Sequence, residues 1–497
     1  MNSKNRNFWL TIAGQLLLAF SLVSNSFSQE TYDSLYSEIL EEQRSLHIIL
    51  PDGYDESSEV KYDVVYVLDG EWNTEFTAEM QKHIVRWRFM PENIIVGIRN
   101  TYIDGANQRD RDLTPTQMQP GTIHGHADKF VAFMKEELIP FINEKYRTTG
   151  DNTLFGHSHG GTCTMFTFLT EPDLFKSYIA SDPSFWWDNN YLSKLAAERL
   201  PEMKDVEASL HISGRAGQGY AGMGINLMDS VLEKFKPEGL LWASDAYKNE
   251  IHNSVKYKGI YDGLKWTYSG YSTEPVEFHP MSGMVLKDKP TKIFMMDDVA
   301  GIYFTTDGNE PTMESSPMQQ LNMITGPATL TARRLGFRTG KVPASKGTFI
   351  ASDLVKAEKK LGSIKKPKPT FEVFDKSQSK KSIDKGILNG DFNLVKELSD
   401  SNKVVILEGY FMAEKEGAYI FAAEREGVKI KCELGDHTLI DVNKESGIIS
   451  YTIPLGAGFH KLKLTLSEVS TDGFNLQGFF VNPDEMEPRP LEFMDLY

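Results

Sequence analysis

The chain has 497 residues, 40% of them apolar and 25% charged, and carries a formal net charge of −16. This is too long for a single hydrophobic core, so roughly two to four domains of ordinary globular composition are expected. The acidic balance argues against nucleic acid or an anionic membrane as the main partner, because either is met by a basic face.

Lys4 and Arg6 precede an apolar run from Phe8 to Val23, and Ser26 and Ser28 stand three and one residues before a cut at Gln29. The pattern predicts a secretory signal peptide over 1–28 and a secreted or periplasmic protein. Gly14 and Gln15 interrupt the run, which falls short of the about 20 residues a membrane span needs, so no span is expected after signal removal. The two cysteines, Cys163 and Cys432, lie far apart and offer neither a disulfide framework nor a cysteine-built metal site.

From Leu46 to Tyr268, short apolar runs alternate with helical stretches. VVYVLDG (64–70), IIVGI (94–98), TLFGH (153–157), SYIASD (177–182), LHISG (210–214) and LLWAS (240–244) read as strands. FVAFMKEELIPFINEKY (130–146) reads as an amphipathic helix. The alternation predicts an α/β domain over 29–272, with a mostly parallel sheet and helices on both faces. After Ser272 the texture changes to short strands and turn signals, such as TTDGNEPT (305–312) and TLTARRLGF (329–337). These predict a small all-β domain over 273–352, followed by a basic, proline-containing linker over 353–370. A second β-rich block, 371–497, contains VVILEGYF (404–411), GAYIFAAE (417–424) and HKLKLTLSEV (460–469).

Within the first domain, Gly156 to Gly160 has the Gly-x-Ser-x-Gly form of a nucleophile elbow around Ser158. A serine at the tip of a sharp strand-to-helix turn needs small residues two positions either side, and a predicted strand and helix flank this one. His252, in the loop between LLWAS and the helix-like YKGIYDGLKWTY (257–268), is placed to serve as its base. The backbone N–H of His159 and that of Glu71, after VVYVLDG, are the expected oxyanion donors. The side chains of His157 and His159 read as elbow neighbours that pack or shape the pocket. The acid is open. The segment after LHISG, RAGQGYAGMG (215–224), holds no Asp or Glu. Asp182 at the end of SYIASD is the first alternative, Glu250 and Asp245 are weaker ones, and a dyad without acid is a fourth. No cofactor is called for.

Residues 40–268 resemble the esterase family of α/β-hydrolases that includes enterobactin-esterase-like and feruloyl-esterase-like enzymes. The likeness is carried by YDVVYVLDGE (62–71), RDRDLTPT (109–116), ADKFVAFMKEELIPFINEKYRT (127–148), GHSHGG, DPSFWWDNN (182–190) and HNSVKYKGIYDGLK (252–265), in the family's order. The resemblance implies Ser158 as nucleophile, His252 as base and oxyanion donation near Glu71 and His159. It also implies that Trp186, Trp187 and loop 215–224 border the substrate. GIYFTTDGNEPT (301–312) and ATLTARRLGFRTGKV (328–342) resemble the chitobiase C-terminal type of β-sandwich. EGAYIFAAEREGVKIKCELGDHTLID (416–441) and LGAGFHKLKLTL (455–466) resemble the protective-antigen type. That type commonly places paired aspartates before a glycine to hold calcium. Here the spot reads Arg425, Glu426, Gly427, whose cation opposes a metal.

The implied activity is a secreted serine ester hydrolase working through an acyl-enzyme. The attached β-domains suggest acetyl or feruloyl esters of a polysaccharide, with siderophore esters as the alternative substrate. A different class, a catalytically inactive carbohydrate-binding or scaffold protein, competes with both.

Overall fold

The computed structural model describes residues 30–296, 300–358, 368–378, 381–388, 402–442, 446–470 and 474–491. The expected signal peptide, 1–28, and residues 359–367 of the expected linker lie outside the described residues. The chain forms two compact units, one of residues up to 273 together with 335–341, the other of 274–334 with 342–497.

The first unit is built on eight strands: β1 (Glu30–Ser37), β2 (Glu42–Ile49), β3 (Tyr62–Leu68), β4 (Ile94–Ile98), β5 (Thr148–His157), β6 (Ser177–Ser181), β7 (Ser209–Arg215) and β8 (Leu241–Tyr247). They lie in the order β1-β2-β4-β3-β5-β6-β7-β8. β1, β2 and β4 pair antiparallel, and from β4 to β8 every neighbour is parallel. The central strands are continuous apolar runs because helices cover both faces. Along β5, Leu154 joins one core with Tyr66, Met165 and Tyr178, and Phe155 joins the other with Val65, Val67 and Ile260. Helices α1 (Gly70–Arg86), α2 (His159–Thr170) and α3 (Val255–Thr267) follow β3, β5 and β8. The strand ends at Leu68, His157, Ser181, Arg215 and Tyr247 share one edge of the sheet, where α/β folds place their ligands.

The helix expected over 130–146 runs from Ala127 to Lys145 with a wide π turn at Met134–Leu138. Pro140 has no N–H to close the α ladder there, so the wider turn falls just before it. Residues 335–341 also belong to this unit. Arg338 donates its backbone N–H to Ser269 O at 2.7 Å, and its guanidinium pairs with Asp151 and lies 3.9 Å from Asp63.

Among its described residues the second unit is almost wholly β-sheet. A nine-stranded sheet takes strands from both β-rich blocks of the sequence. The bridge is Ser282–Val285, which pairs in parallel with Ser345–Ala351 on one side and Ser446–Leu455 on the other. Gly283 allows this approach, since a Cβ there would lie 2.3 Å from Thr452 O. The expected sandwiches over 273–352 and 371–497 thus contribute strands to a common sheet. A six-stranded sheet, including Lys403–Ala413 and Gly458–Ser467, shares a core with it through Leu407, Leu462, Phe421 and Ile453.

Candidate active site

Ser158 sits between the end of β5 and the start of α2 with φ 60° and ψ −120°. A non-glycine residue holds such a conformation only when its surroundings fix it. Its N–H donates to Ser181 O at 3.0 Å, and its carbonyl accepts from Thr162 N at 3.0 Å and Ser184 N at 3.3 Å. The turn closes so tightly that a Cβ at Gly156 would fall 2.2 Å from the carbonyl carbon and oxygen of Gly160. The Ser158 hydroxyl lies 3.5 Å from Ser184 Oγ.

His252 lies in the turn before α3. Its Nδ1 is 2.6 Å from Asp182 Oδ2, and that carboxylate is wholly buried just past the end of β6. Asp182 also accepts from Arg215 Nε at 2.6 Å on the same oxygen, and from Arg215 N at 3.3 Å on the other. Burial works to raise the Asp182 carboxyl, but the hydrogen bonds and charges of His252 and Arg215 outweigh it and hold it below the ordinary value. Of the other acid candidates, Glu250 is bound by Lys258 and Ser254, and Asp245 by His211 at 2.9 Å. The structure therefore brings Asp182 to His252 and engages Glu250 and Asp245 elsewhere. His157 ties the elbow to the same loop: its Nε2 is 2.7 Å from His252 O, and the two rings lie 4.6 Å apart. Burial, and then the charge of His252, push His157 down to about 4, so at neutral pH it is an uncharged ring that donates Nε2–H to that carbonyl.

The sequence model of the family described as "Putative esterase" matches residues 37–266. The ferri-bacillibactin esterase BesA of Bacillus subtilis is 30% identical over 213 residues, which make up 39% of this chain and 73% of that protein. The chain belongs to this esterase family. A siderophore triacetylfusarinine C esterase from Aspergillus fumigatus is 30% identical over 165 residues, and the chain spans about half of it, 54%. The solved structure of an IroE-like serine hydrolase from Shewanella oneidensis is 32% identical with a TM-score of 0.44, covering 48% of this chain and 79% of that one.

In this esterase, Glu71 and His159 stand second and first in α1 and α2, where helical N–H groups lack an intrahelical acceptor. A single guanidinium joins the two helix starts. Arg109 donates to both oxygens of buried Asp69, at 2.6 and 2.9 Å, and to His157 O at 3.3 Å. Asn100 adds bonds to Asp69 at 3.0 Å and to the Glu71 carboxylate at 2.9 Å. The His159 ring bonds Asp110 at 2.9 Å, which, against burial, holds that carboxyl below its usual range. The paired tryptophans differ. Trp187 is 5% exposed, donates Nε1–H to Thr116 and packs edge-on against His124 and His159 at 5.1 Å. Trp186 is 41% exposed. Sequence reasoning missed Asp69, Asn100, Arg109, Asp110 and Arg215. The opposite charges of VVYVLDG and RDRDLTPT were the available signal for the Asp69–Arg109 pair.

Proposed function

We propose that the esterase cleaves ester bonds of an iron-chelating siderophore through an acyl-enzyme, with Ser158 as nucleophile, His252 as base and Asp182 as the orienting acid. The observation that carries this reading is the 2.6 Å bond between His252 Nδ1 and the buried Asp182. It fixes the tautomer that leaves Nε2 to take a proton. Ser158 Oγ attacks the ester carbonyl carbon as its proton passes to His252 Nε2. The N–H groups of Glu71 and His159 receive the negative charge that grows on the carbonyl oxygen. Collapse breaks the carbon–oxygen bond of the ester, and His252 returns the proton to the departing alkoxide. Water then attacks the acyl-serine with the same base, releasing the acid and restoring Ser158.

The siderophore class is favoured over acetylated or feruloylated polysaccharide by the names of the relatives, a ferri-bacillibactin esterase and a triacetylfusarinine C esterase. Exposed Trp186 and Trp72, with Arg109 over the Trp72 ring at 5.9 Å, suit a large, polar, aromatic-bearing ester. In this reading residues 29–272 hold the chemistry, while 273–352 and 371–497, joined by the 353–370 linker, are accessory. The signal-like residues 1–28 fit a periplasmic or secreted enzyme. The test compares kcat/KM on a catecholate tri-ester siderophore, with and without iron, against acetylated and feruloylated oligosaccharides, using Ser158→Ala as control. The siderophore is expected to be the better substrate by about 100-fold, roughly 2.7 kcal/mol of transition-state binding. A preference for the oligosaccharides would refute the substrate assignment, and full activity in Ser158→Ala would refute the chemistry.

A further inference from the structure

The segment after β7 is where a triad acid is expected, and it holds none. At its edge stands Arg215, the last residue of β7. Asp182 Oδ2 receives two N–H groups at 2.6 Å, one from His252 Nδ1 and one from Arg215 Nε. The Arg215 backbone N–H reaches the other oxygen at 3.3 Å. One residue thus grips both oxygens of the carboxylate and stops its plane from turning, so that Oδ2 stays aimed at the imidazole. The arginine is itself seated. The next residue, Ala216, donates its N–H to Tyr247 O on β8 at 2.9 Å. The helix Gln218–Gly222 brings Gly219 against the side chain, where a Cβ would lie 2.8 Å from Arg215 Cβ and 3.5 Å from Cζ and Nε.

We infer that Arg215 is a positioning residue for the proton-transfer step, holding Asp182 in register with His252 and offsetting part of its charge at the imidazole. The inference rests on the reading of Asp182 and His252 as acid and base. A lone buried carboxylate at this distance would favour the imidazolium strongly, and an imidazole already protonated cannot accept the serine proton. A permanent cation on the same oxygen weakens that pull. The charged and titratable groups facing this pair from the surrounding elements are few. Asp182 comes from the end of β6, Arg215 from β7 and His157 from β5, and Lys256 of α3 and Asp69 after β3 act on His157. Glu250, two residues before His252, is held by Lys258 and Ser254.

The test uses the full chain and the variants Arg215→Gln, which keeps an amide donor without charge, and Arg215→Lys, which keeps the charge. Two pH profiles are recorded: kcat/KM on p-nitrophenyl acetate, and the rate at which diethyl pyrocarbonate acylates His252, followed by peptide mass spectrometry. In Arg215→Gln the acid limb of kcat/KM and the midpoint of His252 acylation should both move up by about one pH unit, with KM little changed. In Arg215→Lys both should stay within about 0.3 unit of the parent. A midpoint that does not move in Arg215→Gln, whether or not kcat or thermal stability falls, overturns the inference and leaves Arg215 a structural residue. The acylation profile needs no turnover. If the parent enzyme hydrolysed no ester, the functional reading would fail while the His252 midpoints still decided the role of Arg215.

Discussion

Replacing Asp182 with asparagine puts the proposed chemistry under direct load. The carboxylate is fully buried and accepts two hydrogen bonds of 2.6 Å on one oxygen and one of 3.3 Å on the other. An amide offers one acceptor and two donor hydrogens. With its oxygen in the Oδ2 position, it satisfies His252 and Arg215 but sets its NH2 against the Arg215 backbone N–H. Turned over, it sets its NH2 against His252 Nδ1, which drives the ring to the tautomer with hydrogen on Nε2 and removes the base. In both poses the charge that stabilises the imidazolium is gone. Losing the tautomer and the charge together should lower kcat by about 10³ to 10⁴, or roughly 4 to 5.5 kcal/mol at 1.36 kcal/mol per tenfold. The assay is steady-state hydrolysis of p-nitrophenyl acetate at pH 7 to 8, with KM expected to change by less than about threefold because the acid does not touch substrate. Glu250→Gln and Asp245→Asn, whose partners lie elsewhere, serve as controls and should stay within about twofold. A kcat for Asp182→Asn within about tenfold of the parent would show that the third member of the triad has been misassigned.

Two further outcomes follow from the elbow. Gly156→Ala places a Cβ 2.2 Å from backbone atoms of Gly160, whereas at Gly160 the nearest atoms to a Cβ are side-chain ones, Asp69 Oδ2 at 3.3 Å and Leu68 Cβ at 3.4 Å. Urea unfolding should show Gly156→Ala losing about 3 kcal/mol or more and Gly160→Ala markedly less, and equal losses would contradict the turn geometry. His157 is buried and lowered to about 4, so its neutral form belongs to the folded state and its charged form to the unfolded one. Stability should therefore decline as pH falls from about 6.5 toward 4, by on the order of 3 kcal/mol, and His157→Asn should flatten that part of the curve. Parallel curves for parent and variant would remove His157 as the cause.

The elbow was legible because its constraints are local: the small residues around Ser158 and the flanking apolar strand and helix all lie within about fifteen residues. The parallel sheet was legible for the same reason, its central strands such as Ile94–Ile98 and Ser177–Ser181 being contiguous buried runs. What stayed hidden depends on strands meeting edge to edge. Asp182 and Arg215 are 33 residues apart and become partners only because β6 and β7 are parallel neighbours. Asp69 and Arg109, 40 apart, meet because the loops after β3 and β4 converge on the elbow. Ser282–Val285 carries no local sign that it will pair with a strand beginning at Ser446. Trp186 and Trp187 look alike in the sequence, and only the packing of His124 and His159 against one of them separates wall from surface.

The short loop carrying Arg338 has a consequence for biosynthesis. Its guanidinium covers the Tyr268 ring at 5.5 Å and pairs with Asp151, yet it is encoded well past the last helix of the unit it completes. In translation order, the stretch through Thr273 precedes the cation that pairs with Asp151 and lies 3.9 Å from Asp63. Its closure is deferred until the first β-strands of the neighbouring unit have been translated. A gene fragment ending at residue 273 would lack Arg338 and with it the guanidinium that pairs with Asp151 and covers the Tyr268 ring.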